Sequence, residues 1–446
     1  MLEYFGTDGI RGVPFNFPFT PYFLKIIGYS IAKKFQKDKK KICAVGLDTR
    51  KSGKKIFKYL SNGLGNVGFK VLNLGVITTP SLSYIVSKNK FSFGIMISAS
   101  HNPPEFNGIK VINKYGEKIS VEEEKEIENI MKKTTDIKTL NVEIFKKNYL
   151  NDYKKYVVDI FKPYFLKNKI RIVIDCANGS ASSISKDIFK KIGISFYIIG
   201  DKPNGNNINV GCGALETNLM QKKVIEEKAF CGISYDGDAD RCIIADENGN
   251  IVDGDDIIVF LSFYYKKKGL LKNNGVSVTK MSNYGIFKFF DEKGINYDVV
   301  DVGDRNVIYS MKKNGFIIGG EPSGHIILKN YLTTGDGIIT SLEFLRVIIE
   351  ENIKVSDVLK LWKRFPSYLK SYKITSKIDI TKLTDFNKKI KDVEKEINGR
   401  ILVRYSGTEP VLRILIEADK SKNYLKKLAD DIFYYYRASL KKEEVL

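Results

Sequence analysis

Three aspartates spaced two residues apart are the residues whose types and spacing most clearly indicate a ligand-binding site. The segment DGDADR at residues 236–241 places carboxylates at Asp236, Asp238 and Asp240 in a predicted tight turn, where Gly237 can relieve backbone strain. Carboxylate oxygens at this spacing suit one hard divalent cation, which predicts a Mg²⁺ site. Glu247 falls at the twelfth position, as in an EF-hand. However, Arg241 occupies the sixth position, where a calcium loop needs glycine, and the flanks have the pattern of strands. An aspartyl nucleophile and a purely structural turn remain as alternatives.

A serine lies in a second polar segment, SASHNP at residues 98–103, and NGIK at 107–110 follows shortly after it. A hydroxyl at a strand end, beside His101 and near Lys110, can act as a nucleophile or carry a phosphoryl group. A serine in such a segment alone is more often part of a turn. Both histidines of the chain, His101 and His325, lie in polar loops of this kind, which favours the chemical interpretation for Ser100.

Arginine occurs in three glycine-containing segments: FGTDGIRG at 5–12, which presents Arg11, GLDTRKSG at 46–53, and RYSGTEP at 404–410. Either of the first two could be only a turn. The third, with Arg413 beyond it, combines guanidinium groups, hydroxyls and backbone N–H donors, which is the set that binds phosphate. We therefore predict a phosphate clamp at this segment in preference to a structural turn.

The elements that must position these residues follow an α/β pattern, because short β-branched runs alternate with amphipathic helical patterns in three successive stretches. This pattern is typical of layers with largely parallel strands. The first stretch predicts strands at 42–47, 70–74 and 93–97, and helices near 21–36, 54–66 and 80–88. The second predicts a helix near 151–161, a strand at 171–175, a helix near 181–192 and a strand at 230–234. The third predicts strands near 275–281, 297–301 and 316–318.

The last clear strand of each stretch leads into a polar, glycine-bearing loop, at 98–103, 236–241 and 320–325. Ligands of α/β sheets bind at such carboxyl strand ends, so these loops are candidate ligand sites. Their shared layout also indicates a weak internal repeat. Past about Lys370, strands at 401–403 and 411–416 and a helix at 425–436 predict a smaller α+β domain.

Several function classes fit the sequence poorly. A GxGxxG at 63–68 closes a predicted helix and precedes a strand, which reverses the dinucleotide-binding order, and no Walker A motif occurs. The net charge of +21 comes from 73 Lys and Arg against 52 Asp and Glu. The lysines are scattered over predicted helix faces without a base-stacking aromatic motif. This pattern favours a solvated surface over a nucleic-acid groove.

The length of 446 residues predicts several domains, and the cysteines indicate their environment. Five cysteines without a CxxC pair argue against a disulfide framework or a zinc site and favour a reducing compartment. The apolar run 257–265 is too short to span a bilayer, and no targeting pattern precedes the first motif. We therefore expect a cytoplasmic protein with neither a membrane nor a nucleic acid as its partner.

Five motifs occur in a fixed order along nearly the whole chain: FGTDGIRG, ISASHNPPEFNGIK, DGDADR, GGEPSGH and RYSGTEPVLRI. In this order they resemble the α-D-phosphohexomutase superfamily. Within it, the opening YFGTDG at 4–9 and four further segments are most similar to the bacterial members that isomerise glucosamine phosphates: PNGNNINVGCG at 203–213, MSN at 281–283, VGDR at 302–305 and TGDG at 334–337.

The resemblance implies three similar mixed or parallel α/β domains and a smaller α+β domain around a central cleft. Residues 1–150 would carry the phosphoserine loop, 151–252 the metal-binding loop, 253–366 the sugar-binding loop, and 367–446 a mobile phosphate-binding domain. The same resemblance implies that Ser100 is phosphorylated. Its phosphate and the three aspartates of the DGDADR loop would bind one Mg²⁺ per subunit.

The resemblance also implies roles for individual residues. Glu321 and Ser323 would hold sugar hydroxyls, and Arg11 and Lys110 would serve proton transfer and charge stabilisation near Ser100. His101 and Arg241 would complete the catalytic set. The phosphate that is not reacting would be held by Arg404, Ser406, Gly407, Thr408 and Arg413. Pro322 departs from the pattern, because it stands where the glucosamine members usually carry Gln, and this bears on the choice of sugar.

The implied activity is that of an isomerase acting on a phosphosugar. It would interconvert glucosamine 6-phosphate and glucosamine 1-phosphate through phosphoserine 100 and a glucosamine 1,6-bisphosphate intermediate. The product would lead towards UDP-N-acetylglucosamine and cell-wall synthesis, and the enzyme could form a homodimer. Alternatives are an enzyme acting on glucose or mannose phosphates, a phosphoserine hydrolase, and a non-catalytic phosphosugar-binding regulator.

Overall fold

The structure is a computed structural model that describes residues 2–138, 140, 142–375, 377–405 and 410–443. The chain divides into two compact units. The larger unit comprises Met1–Met281 with Ile295–Leu361, and the smaller comprises Ser282–Gly294 with Trp362–Leu446. No helix in the described ranges is long and apolar enough to cross a membrane.

The larger unit begins with a seven-stranded sheet and its flanking helices. These elements are β1 (Phe5–Gly6), β2 (Gly9–Gly12), α1 (Pro21–Lys34), β3 (Ile42–Leu47), α2 (Gly53–Gly65), β4 (Lys70–Val76), α3 (Thr79–Asn89), β5 (Phe93–Ile97), β6 (Asn107–Asn113), α4 (Val121–Lys133) and β7 (Ile144–Phe145). The strand order is β1-β2-β6-β5-β3-β4-β7. Strands β5, β3, β4 and β7 pair in parallel, whereas β1, β2, β6 and β5 pair antiparallel. The sheet is therefore mixed, and the strand pattern overstates its parallel part.

A second sheet follows in the same unit. Its elements are α5 (Leu150–Phe165), β8 (Arg171–Asp175), α6 (Ser185–Ile192), β9 (Ser195–Ile199), α7 (Asn218–Glu226), β10 (Cys231–Tyr235), β11 (Cys242–Ala245) and β12 (Ile251–Val252). The strand order is β12-β11-β10-β8-β9. The helix predicted at 181–192 is in fact a short 3₁₀ turn at 180–183 followed by α6, and Ile184 between them leaves the helical conformation.

The third sheet has the order β14-β13-β15-β16. The elements of this region are α8 (Gly254–Lys267), β13 (Gly275–Thr279), α9 (Tyr284–Lys293), β14 (Asn296–Val300), α10 (Asp304–Asn314), β15 (Ile318–Gly320), β16 (Ile326–Leu328), α11 (Gly337–Glu351) and α12 (Val355–Val358). Helix α9 belongs to the smaller unit. Asp336 caps α11, because its carboxylate accepts hydrogen bonds from the backbone N–H groups of Ile338 and Ile339.

The three sheets share one local arrangement that matters for the site. In each, a strand with a parallel neighbour runs into a polar loop, and the chain returns as an antiparallel strand beside it. The pairs are β5 with β6, β10 with β11, and β15 with β16. The loops between them contain the segments 98–103 and 236–241 and, in the third sheet, residues 321–325. The predicted mixed α/β class is confirmed, with these loops at equivalent strand ends.

The smaller unit is an α+β structure with an antiparallel sheet. Its elements besides α9 are β17 (Ser367–Lys373), α13 (Thr384–Ile397), β18 (Arg400–Tyr405), β19 (Val411–Glu417) and α14 (Lys422–Glu443), and the strand order is β17-β19-β18. Phe386, Ile414 and Leu425 are among the buried residues of its core. Asn283, which caps α9, donates hydrogen bonds to the Phe365 carbonyl at 3.0 Å and to Glu417 at 3.2 Å.

Candidate active site

Ser100 lies in the loop that follows β5, and its side chain meets the aspartate loop. Its hydroxyl donates to Asp236 Oδ2 at 2.5 Å and lies 3.3 Å from His101 Nδ1. Its backbone has φ +53°, in the left-handed region that a non-glycine residue adopts only at a cost in free energy. The residue is 1% exposed, so Oγ is directed into a buried, acidic environment.

The three predicted aspartates come together between β10 and β11. Asp236, Asp238 and Asp240 are buried, and each offers a carboxylate oxygen within 4.8 Å of the other two. Asp238 Oδ1 and Asp240 Oδ1 are buried without a hydrogen-bond partner in the described part of the chain. Burial and the two neighbouring carboxylates raise the pKa of Asp236 well above its ordinary value. Asp240 Oδ1 has longer ion contacts, with His325 Nδ1 at 3.6 Å and Arg241 Nε at 3.9 Å. A buried carboxylate oxygen without a hydrogen bond is costly unless a cation binds it, so these residues fit a divalent metal ion.

Lys110, on β6, supplies positive charge beside the aspartates. Its ammonium contacts Asp238 Oδ2 at 2.8 Å, Asp8 Oδ2 at 3.0 Å and Asp240 Oδ2 at 3.2 Å. Burial alone would lower the pKa of Lys110, but these carboxylates raise it well above its ordinary value. Lys110 is therefore a permanent cation of the site.

Two arginines and His101 flank the same position. Arg11, on β2, donates to Asn102 Oδ1 at 2.8 Å and forms an ion pair with Asp8. Burial lowers the pKa of Arg241, but the carboxylates of Asp240 and Asp236 raise it above its ordinary value. Burial and the Arg241 guanidinium lower the pKa of His101 to about 4. The imidazole is therefore neutral near pH 7.

The third loop, between β15 and β16, brings its acidic and basic groups to the same cleft. Glu321 Oε1 accepts from the backbone N–H of Gly303 at 2.8 Å, and the Ser323 hydroxyl donates to Glu321 Oε2 at 3.1 Å. His325 Nδ1 lies 3.6 Å from Asp240 Oδ1. Burial opposes protonation of His325, but the contact with Asp240 raises its pKa to about 9.

A cleft of about 410 Å³ is lined by residues from all three loops and from the chain's first motif. Arg11, His101, Asp240, Arg241 and Glu321 face it. A volume of this size and a charged lining suit a small polar ligand. The cleft can therefore place a phosphorylated small molecule beside the Ser100 loop and the aspartates.

The predicted phosphate clamp belongs to the smaller unit. Arg404 on β18 and Arg413 on β19 are directly opposite each other across the antiparallel pair, so their side chains share one face. Two guanidinium groups on one face can donate to the oxygens of one phosphate, which is consistent with phosphate binding. Ser406, Gly407 and Thr408 lie outside the described residues.

Four further residues support the site, and the motifs gave little signal for them. Arg50, in the segment that could be only a turn, donates to the carbonyls of the Ser100 loop. Asn209 donates to the same carbonyls from the second sheet's domain. Thr79, which begins α3, donates its hydroxyl to Asp238 Oδ2 at 2.6 Å. Lys118 bridges Asp8 Oδ1 at 2.9 Å and Asp304 Oδ1 at 3.0 Å.

Four protein-family models match the chain. They describe phosphoglucomutase/phosphomannomutase alpha/beta/alpha domain I over residues 2–138, domain II over 147–249, domain III over 253–365, and the C-terminal domain over 346–434. Together they cover most of the sequence.

Curated relatives match over nearly the full length. The phosphoglucosamine mutase of Carboxydothermus hydrogenoformans is 41% identical over 443 residues, covering 97% of this chain and 98% of the relative. The phosphoglucosamine mutase of Caldicellulosiruptor saccharolyticus is 42% identical over 446 residues, with coverage of 97% and 98%.

Solved structures show the same fold at lower identity. A phosphoglucomutase/phosphomannomutase family protein from Burkholderia thailandensis has a TM-score of 0.81 at 20% identity, covering 100% of this chain and 98% of that one. The Aspergillus fumigatus N-acetylphosphoglucosamine mutase in complex with GlcNAc-6P and magnesium has a TM-score of 0.69 at 18% identity, covering 98% and 96%.

Proposed function

The chain belongs to the phosphoglucomutase/phosphomannomutase family, and from this premise we propose that Ser100 carries the phosphoryl group with which it isomerises glucosamine phosphate. The enzyme interconverts glucosamine 6-phosphate and glucosamine 1-phosphate, the activity that its near-full-length relatives indicate by name. The observation that carries the assignment of Ser100 is its hydroxyl, buried at 2.5 Å from Asp236 in a site that also holds Lys110.

The reaction proceeds by two phosphoryl transfers through one serine. The bond between Ser100 Oγ and phosphorus breaks as the sugar O1 bonds to phosphorus, which gives glucosamine 1,6-bisphosphate. The bisphosphate turns over in the cleft, and its 6-phosphoryl returns to Ser100 Oγ, releasing glucosamine 1-phosphate. In the first transfer, Ser100 Oγ gains a proton as its bond to phosphorus breaks, which balances the proton lost by the attacking sugar O1. In the second transfer, Oγ loses its proton as it bonds to phosphorus and the sugar O6 gains one. His101 Nδ1, 3.3 Å from Oγ, is placed to exchange the proton of Oγ.

Cationic side chains stabilise the charge on the phosphoryl oxygens during each transfer. Lys110 and Arg241 are held beside the aspartates, and Arg11 lines the cleft near Asn102. Phosphoryl transfer requires in-line positioning and neutralisation of spread negative charge more than covalent chemistry from the protein. Asp236, Asp238 and Asp240, with the phosphate of Ser100, would hold one Mg²⁺, which when bound withdraws charge from the phosphoryl oxygens.

Recognition of the sugar uses different residues for its middle and its distal phosphate. Glu321 and Ser323 of the third loop hold sugar hydroxyls, and Arg404, Arg413 and the segment 406–408 bind the phosphate that is not reacting. Two orientations of the substrate can then use one site, because the clamp recognises either phosphate. Pro322 lies between the two hydroxyl-binding residues, so the preference for glucosamine over glucose and mannose must be measured directly.

The test is a coupled assay of the purified enzyme with Mg²⁺ on the 6-phosphates of glucosamine, glucose and mannose, alone and in competition. We expect the highest kcat/KM on glucosamine 6-phosphate and loss of activity in Ser100→Ala. Ser87→Ala is the matched control, because Ser87 is a half-buried serine of α3 whose hydroxyl donates within its own helix, to the Tyr84 carbonyl. An active Ser100→Ala variant would refute the role of the serine, and a preference for glucose or mannose 6-phosphate would refute the choice of sugar.

The proposal also includes the cellular setting. All five cysteines are buried free thiols, which supports a reducing compartment and so the cytoplasm. We include a homodimer as the assembly, which light scattering of the purified enzyme tests by giving twice the mass of one chain.

A further inference from the structure

Two side chains from different domains converge on the same pair of backbone carbonyls in the Ser100 loop. Arg50 Nη2 donates to the Ser100 carbonyl at 3.0 Å and to the Asn102 carbonyl at 2.7 Å. Asn209 Nδ2 donates to the same two carbonyls, at 2.9 Å and 3.0 Å. Arg50 belongs to the domain of the first sheet, and Asn209 belongs to that of the second.

The donors and the acceptors of this contact match in number. Each of the two nitrogens carries two N–H groups, and each carbonyl oxygen has two lone pairs, so four donors meet four acceptor positions. Arg50 is fixed in turn by Asp48, whose Oδ2 accepts from Nε at 2.9 Å in a pair with fully buried side chains. The other guanidinium nitrogen, Nη1, donates to the carbonyls of Pro103 and Phe106. Hydrogen bonds to backbone carbonyls between Ser100 and Phe106 therefore hold the loop, and none of them involves the Ser100 hydroxyl.

The conformation of Ser100 needs such support. Its left-handed backbone is unfavourable for serine, and the bonds to its carbonyl group come from outside its own segment. Asn209 is fixed within the second domain, because its backbone N–H donates to the Ala177 carbonyl at 2.9 Å. Asp236, which accepts from the Ser100 hydroxyl, is in the same domain. One residue of the first domain is therefore held at its carbonyl and at its hydroxyl by the second.

We propose that Asn209 and Arg50 are positioning residues that fix Ser100 for phosphoryl transfer. Asn209 sets the register between the phosphoserine loop and the aspartate loop, and Arg50 holds the loop within its own domain. The inference rests on the proposed function, since it assigns residues that position the serine of that reaction. It also gives a role to Asn209 in the PNGNNINVGCG segment.

Asn209→Asp tests this role with little change of shape. Aspartate has nearly the size of asparagine and tolerates the left-handed backbone that Asn209 adopts, with φ +60°. It presents an acceptor where the loop requires two donors, so the Ser100 carbonyl is repelled. We expect kcat to fall by at least about tenfold, because displacement of a reacting group by an ångström costs up to about 100-fold. KM for glucosamine 6-phosphate should stay within about twofold of wild type, because the hydroxyl-binding and phosphate-clamp residues are unchanged.

Asn206→Asp is the matched control. It introduces the same charge in the same loop at an exposed position, and its kinetics should equal those of wild type. Arg50→Lys is the second variant, because lysine keeps a positive charge beside Asp48 but cannot bond four carbonyls, and it should also lower kcat at unchanged KM. If Asn209→Asp fails to fold by circular dichroism, Asn209→Gly, which permits the same backbone, is judged by the same criterion.

The outcomes separate this inference from the proposed function. A folded Asn209→Asp or Asn209→Gly variant with kcat within about twofold of wild type would overturn the positioning role. A variant that loses only thermal stability, with kcat unchanged per folded enzyme, would do the same. Failure of the wild type to isomerise glucosamine 6-phosphate, or activity of Ser100→Ala, would instead refute the proposed function.

Discussion

At Gly237 the aspartate loop approaches the backbone of Ser100 so closely that any side chain at this position would clash with it. A methyl group on Gly237 Cα would lie 2.5 Å from the Ser100 carbonyl oxygen and 2.9 Å from Ile208 Cδ1. Ordinary van der Waals contact begins at about 3.4 Å. The end of the Ile208 side chain can move aside, but the carbonyl is held by Arg50 and Asn209. In Gly237→Ala the two loops must therefore separate by about 0.9 Å, the difference between the two distances.

This separation moves Ser100 away from the aspartates at the point where the reaction occurs. A displacement of about 1 Å costs up to about 100-fold in rate, which corresponds to about 2.7 kcal/mol of activation free energy. Overpacking of this kind also destabilises the folded state by about 1–3 kcal/mol. We therefore expect Gly237→Ala to fold, to melt at a lower temperature, and to lose kcat/KM by about 100-fold.

The measurement is steady-state kinetics on glucosamine 6-phosphate together with thermal unfolding. Gly53→Ala is the control, because a methyl group there meets only Leu47, at 3.8 Å, and alanine favours the helix that Gly53 begins. We expect this control to retain wild-type kinetics. A Gly237→Ala enzyme with wild-type kcat and melting temperature would show that the close approach of the two loops is needed neither for activity nor for stability.

Three other perturbations address the charges of the site. Lys110→Met removes the ammonium that neutralises Asp8, Asp238 and Asp240, so kcat in the coupled assay should fall by about 100-fold or more, whereas exposed Lys114→Met should not change it. Asp238→Asn removes one carboxylate of the proposed metal site, so Mg²⁺ affinity by calorimetry should fall at least about 10-fold, and chelation of Mg²⁺ from wild type should abolish activity until Mg²⁺ is restored. Arg413→Gln should raise KM by about 10-fold to 100-fold, because it removes one of the two opposed guanidinium groups of the proposed clamp.

Each of these expectations has a contradicting result. Full activity in Lys110→Met would show that the aspartates need no cation from the chain. Unchanged Mg²⁺ affinity in Asp238→Asn would place the metal elsewhere. An unchanged KM in Arg413→Gln would show that Arg413 does not bind the substrate phosphate. Arg437→Gln, at an exposed position, is the control.

Strands with continuous apolar and β-branched residues were predictable from the sequence alone. The bounds of β3 and β5 equal the predicted 42–47 and 93–97, because both strands are almost entirely buried and carry a complete local signal. Strands β11 and β16 were missed, since strands of four and three residues are too short to show a period. They form because the chain returns from a loop beside the preceding strand, which only the tertiary structure shows.

The site residues likewise divide into those that have a local sequence signal and those that have none. The aspartates, Ser100, His101 and Lys110 were candidates from the sequence because residue types and spacing within each segment carry a signal, and the structure brings these two segments together. Arg50 and Asn209 could not be assigned from the sequence, because they bind backbone carbonyls 50 and 109 residues away from them. Every residue has a backbone carbonyl, so an acceptor of this kind has no characteristic residue type that a sequence motif could show. The hydrogen bond from Gly303 N–H to Glu321 is hidden for a similar reason, since its donor is also backbone.

Transfer of the phosphoryl group between Ser100 and the sugar can be measured directly. Enzyme loaded with isotopically labelled phosphate from glucosamine 1,6-bisphosphate is mixed with unlabelled glucosamine 6-phosphate, and the label is followed by peptide mass spectrometry and sugar analysis. We expect label on Ser100 at the start and its appearance in sugar phosphate at a rate no slower than kcat. Label that stays on the protein, that lies on a residue other than Ser100, or that leaves only as inorganic phosphate would contradict this expectation.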